Sequence, residues 1–98
     1  MNEADFGRVP PSFKPDAALI QLKRQLRDLK LTERGHGFER RGKRVAELQI
    51  EGVTIAARMA RKLAITPEWD KLTMASASDQ RKWLDELSKR LARWDREE

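Results

Sequence analysis

VAELQIEGVTIAARM, residues 45–59, is the stretch that decides the fold. Ala46, Leu48 and Ile50 alternate with Glu47, Gln49 and Glu51, and the alternation resumes at Val53, Ile55, Ala57 and Met59. A period of two is the signature of a strand with one face buried and one in water. Gly52 lies between the two runs and can take the positive φ of a tight hairpin. Gly42 stands in the same relation to Phe38–Arg41 and Lys43–Glu47. The centre of the chain therefore reads as a three-stranded antiparallel meander.

On either side the period changes. Leu19, Leu22, Leu26 and Leu29 follow Asp16 at helical spacing and fall within an arc of about 80° at 100° per residue, which predicts a helix over about residues 17–31, with Asp16 as its cap. Towards the other end, Ser76 or Ser78 precedes Leu84, Leu87, Leu91 and Trp94, with Trp83 on the edge of that stripe. This is a second long helix with one narrow apolar side. Between sheet and helix, Thr66-Pro67-Glu68 has the order of a cap, a helix-starting proline and an acid favoured by the helix dipole, and predicts a short helical turn carrying Trp69. The expected architecture is α+β: helix, three-stranded meander, short helical turn, C-terminal helix. Two apolar stripes and one apolar sheet face must cover one another, so both long helices should lie on the same side of the sheet. Residues 1–15 carry Pro10, Pro11 and Pro15 and read as an extended arm whose Phe6 and Phe13 can dock on the domain; residues 16–98 read as one compact domain.

The composition narrows the function. Charged residues make up 38% of the chain and hydrophobic ones 39%, enough for one thin core beneath a densely charged surface. The N-terminus has no apolar signal region and the longest apolar run is Ala17–Ile20, so a cytoplasmic location is expected, without a membrane partner. There is no cysteine and no tyrosine, and the one histidine, His36, sits between Gly35 and Gly37, a setting that holds an imidazole poorly for catalysis or metal binding. Asp85 with Lys89 and Glu86 with Arg90 are spaced as ion pairs on a helix surface. No phosphate-cradling glycine loop is present. A non-catalytic binding protein is expected, with no cofactor and no small-molecule substrate.

The net charge of +5 is uneven, since residues 23–62 hold 12 Lys or Arg against 5 Asp or Glu. Arg40, Arg41, Lys43 and Arg44 crowd the hairpin around Gly42, where a cationic tip can follow phosphates. Lys23, Arg27, Lys30 and Arg34 fall on an arc of about 60° if the first helix runs through them, and would extend that surface. These eight residues are the candidate nucleic-acid site, expected to read the backbone without regard to sequence. The helix–three strands–helix order is similar to that of the double-stranded-RNA-binding domain, with Arg40–Arg44 and Arg81-Lys82 in comparable regions. The likeness is one of topology: Arg-Arg-Gly-Lys-Arg replaces that family's Gly-Pro-x-His hairpin, and Ser-Asp-Gln-Arg-Lys its lysine cluster. Trp83 and Trp94 read as core, and the outer sheet face would carry Glu47, Gln49, Arg58 and Lys62, without the stacking aromatics of an RRM.

The alternative is a protein-interaction or regulatory domain, a homodimer among its forms. Phe13 in the arm and Trp69 in the connecting segment are its candidate contact residues, with an exposed strand edge as the third way to meet a partner.

Overall fold

The computed structural model describes residues 13–97. It is an α+β domain: α1 (Pro15–Asp28), β1 (Thr32–Arg34), β2 (Gly37–Arg40), β3 (Lys43–Glu51), β4 (Thr54–Ala60), β5 (Trp69–Met74) and α2 (Ala77–Glu97). The strands form one antiparallel sheet in the order β1-β2-β3-β4-β5. The meander thus has five strands where three were expected. Most of the expected arm, with Phe6, lies outside the described residues. Pro15, assigned to that arm, is instead the first residue of α1, where its missing N–H is no loss; Lys14, not Asp16, occupies the cap position.

The three central strands follow the expected alternation, with a local exception. Ala46 opposes Met59, Leu48 opposes Ala57 and Ile50 opposes Ile55. Between Phe38 and Glu39 the β2–β3 register shifts, because Phe38 opposes Ala46 while Glu39 opposes Arg44. Val45 is the extra residue of that bulge, and Val45 and Ala46 are both buried. The three hairpin turns up to β4 have two residues each. In the β2–β3 turn Arg41 and Gly42 both have positive φ, 54° and 79°, the pattern of a type I′ turn whose twist matches that of the strands.

The two missed strands have separate causes. α1 stops at Asp28, three residues early, because the chain closes a Schellman motif: Leu31 N–H donates to Leu26 O at 3.3 Å and Lys30 N–H to Arg27 O at 2.9 Å. Lys30 sits in the left-handed region at φ 69°, and Leu31 is buried with Leu26. Released from the helix, Thr32–Arg34 pair with β2, Thr32 opposite Glu39 and Arg34 opposite Gly37. β5 was hidden by Asp70, which stands in the apolar register with Leu72 and Met74. Residues 66–68 are not helical but lead into this strand, and Trp69 opens it opposite Ala60.

Of the two candidate caps for α2, Ser76 serves: its Oγ accepts from Asp79 N–H at 3.1 Å, while the Asp79 carboxylate accepts from Ala75 N–H at 3.0 Å. Leu22 and Leu26 of α1, Trp83, Leu87, Leu91 and Trp94 of α2, and Phe38, Leu48, Ile55, Ala57 and Met74 of the sheet share one buried cluster. The helices also touch through Gln80 Nε2, which donates to Gln21 Oε1 at 3.2 Å. Glu47, Gln49, Arg58, Lys71 and Thr73 occupy the other sheet register and stay at least partly in water.

Candidate anion-binding cleft

The eight expected phosphate contacts are spread over α1, the α1–β1 turn, β1, β2, the β2–β3 turn and β3. Since α1 ends at Asp28, Lys30 lies in the turn and Arg34 in β1, so neither shares a helix flank with Lys23 and Arg27. Those two both reach Glu33 on β1, with Lys23 Nζ at 3.0 Å from Oε2 and Arg27 Nη1 at 3.1 Å from Oε1. Arg34 faces Glu39 at 3.6 Å. In the hairpin, Arg44 donates to Glu47 Oε2 at 2.9 Å and to Arg34 O at 2.8 Å, lying over the sheet instead of at the tip. Arg40 is bonded to Asp95 near the end of α2. Arg41 and Gly42 form the exposed tip itself, and Lys43 begins β3.

Lys43 joins a cluster that the sequence does not announce. A cleft of about 540 Å³ is lined by Lys43, by Arg61, Lys62 and Leu63 from the start of the β4–β5 connection, and by Arg93, Trp94 and Glu97 from the last turns of α2. Leu63 is half-buried and Trp94 nearly fully so, which gives the cleft an apolar floor beneath a cationic rim. Among the described residues, Lys43, Lys62 and Arg93 have no acid partner, whereas Arg61 bonds Asp70 at 2.7 Å and lies 3.9 Å from Glu68. Hydrogen bonds from Arg61 and then Arg90 hold the Asp70 carboxyl below its ordinary value, so it remains ionised and Arg61 is held for it. Among the described residues, three cations without a partner thus line the cleft with one acid, Glu97.

One of these residues was assigned elsewhere by sequence: Lys62 was expected on the outer sheet face, but β4 ends at Ala60 and places it in the connection. Arg93 stands in α2 directly before Trp94, which is buried and also lines the cleft. The usable signal is Arg61-Lys62, a basic pair directly after Ala60, the last residue of β4.

The alternative contact residues pack against the domain. Phe13 and Trp69 are both half-buried against the core cluster. His36 lies exposed in the β1–β2 turn and its carbonyl accepts from Leu48 N–H at 2.9 Å, a structural role for its backbone. Among the described residues no three His, Asp or Glu side chains converge as a metal site, and no helix is long and apolar enough to cross a membrane. No family model, curated protein or solved structure matches the chain.

Proposed function

We propose that this protein is a non-catalytic, sequence-independent nucleic-acid binder whose phosphate contacts are centred on the Lys43, Lys62 and Arg93 cleft and not on the first helix. The observation that carries this reading is the convergence of those three cations from three separate elements, without acid partners among the described residues. An ion pair has already spent much of its field on its partner, while an uncompensated cation is available to displace the counterions condensed on a phosphate chain. A cleft that takes phosphates and offers no base-edge donors arranged in a groove-reading element binds without regard to sequence.

The test is fluorescence anisotropy with labelled duplex DNA, duplex RNA and single strands at about 50 and about 200 mM salt. Replacing Lys43, Lys62 and Arg93 together by Ala should make the slope of log K against log salt on duplex DNA shallower by about 2.7, at about 0.9 per lost phosphate contact. Replacing Lys23 and Arg27, which are held by Glu33, should leave it nearly unchanged. Failure of the native protein to bind any probe at low salt, or an equal loss in the two variants, overturns the proposal.

A further inference from the structure

Strand β5 has a neighbour on one side only. It pairs with β4, and among the described residues no strand covers its other edge. An unpaired edge is a template for another strand unless the protein blunts it. The opposite edge, β1, is only three residues long, is exposed throughout, and carries Glu33, which is tied to α1. β5 is six residues long and leaves Leu72 42% exposed. Beside it runs a groove of about 400 Å³ between β5 and α2, with Met59, Leu72 and Trp83 as its apolar part.

The helix side of the groove identifies the occupant. Asp79, Lys82, Glu86 and Arg90 all line it and fall within an arc of about 80° at 100° per residue, so their signs run −, +, −, + along one flank of α2. Such a row is complementary to itself when reversed. Two copies related by a two-fold axis set Lys82 against the partner's Glu86, while Arg90 stays bonded to Glu86 and Asp70 of its own chain at 2.9 Å each. The strand agrees with this symmetry. Antiparallel pairing of β5 with itself about Leu72 puts Leu72 on its own counterpart, Lys71 opposite Thr73 and Asp70 opposite Met74, so that no like charges meet and each side chain keeps its face. Spacing is compatible as well: strands about 4.8 Å apart and helices about 8–10 Å apart let two helices cover five strands, and four cover ten.

We infer that the β5 edge and the Asp79–Arg90 flank of α2 form a two-fold interface with a second copy of this chain, joining two five-stranded sheets into one of ten strands. This surface is separate from the cationic cleft, and its test needs no nucleic acid. Light scattering coupled to size exclusion should give twice the 11.4 kDa chain mass at on the order of 100 μM chain. Lys82→Glu puts like charges across the seam twice and should weaken the dimer by about tenfold or more, while Lys82→Arg keeps the sign and should leave it intact. Leu72→Lys places two ammonium groups at the two-fold axis and should give the single-chain mass. Lys82 is exposed, so its variant keeps the fold, checked by circular dichroism. A native protein that stays at the single-chain mass, or Lys82→Glu and Leu72→Lys variants that both remain dimeric, overturns the inference.

Discussion

Replacing Lys30 by Gly should stabilise the protein, although it removes a residue from the richest cationic segment of the chain. Lys30 closes the Schellman motif of α1 at φ 69°, a conformation in which Cβ crowds the following carbonyl. The left-handed region costs an ordinary L-residue about 1–2 kcal/mol, and glycine's greater freedom in the unfolded chain returns about 0.5–1 kcal/mol of that. A net gain of about 0.5–1 kcal/mol remains. The side chain takes nothing with it, since Lys30 is exposed and has no ion-pair partner among the described residues. For a domain of this size the gain corresponds to a rise in Tm of about 3–6 °C. Thermal unfolding by circular dichroism measures it, with Lys30→Ala as the control that retains Cβ and should gain nothing. A Lys30→Gly variant that melts at or below the native temperature, or an Ala variant that gains as much, refutes the strain argument. The same variant should leave the anisotropy salt slope unchanged, because Lys30 lies outside the cleft.

Asp70 gives a pH dependence with a definite sign. Its folded carboxyl is held below the ordinary 3.8 by Arg61 and Arg90, so its contribution is fully present well above that value and is lost as pH falls through the depressed one. The stability difference between the native protein and Asp70→Asn, from urea unfolding, should therefore be constant above about pH 5 and shrink below the ordinary value; a difference that grows towards acid contradicts the assignment. Gly37→Ala tests the support of Arg44, because a Cβ at position 37 would lie 2.5–2.9 Å from three guanidinium atoms of that residue. Displacing the guanidinium breaks its bonds to Glu47 and Arg34 O, at a cost of about 1–2 kcal/mol in urea unfolding, and adding Arg44→Ala should make the glycine change nearly neutral.

What was legible in the sequence was whatever rested on a long uninterrupted period. Residues 45–59 alternate with one break at Gly52, and the structure pairs them almost residue for residue. The two helices were legible from Leu22 and Leu26 and from Leu87, Leu91 and Trp94. The edge strands were not, for opposite reasons. β1 is too short to show a period, and its existence depends on a lysine adopting a conformation that glycine usually supplies. β5 has a period, but a carboxylate occupies one of its apolar positions, and that is tolerable only because Arg61 and Arg90 arrive there from two other elements. Neither partner is visible from within residues 69–74.

The candidate site was hidden by the same kind of fact. Sequence counts cations, but a surface field depends on which of them are left without partners, and partners are chosen by the fold. The helix break at Asp28 turns Thr32–Arg34 back beside β2, and this places Glu33 between Lys23 and Arg27. The bulge at Val45 keeps Arg44 over the sheet, within reach of Glu47. Each irregularity that the alternation could not foresee therefore removed charge from the expected surface. At the cleft the reverse holds: β4 stops at Ala60 and sends Lys62 to the side of Arg93, while Asp70 is held by Arg90 and, among the described residues, binds Arg61 alone of the cleft's cations. Asp70 thus links the two surfaces of the molecule. It takes up Arg61 at the cleft, and its strand supplies the edge on which a second copy would be paired.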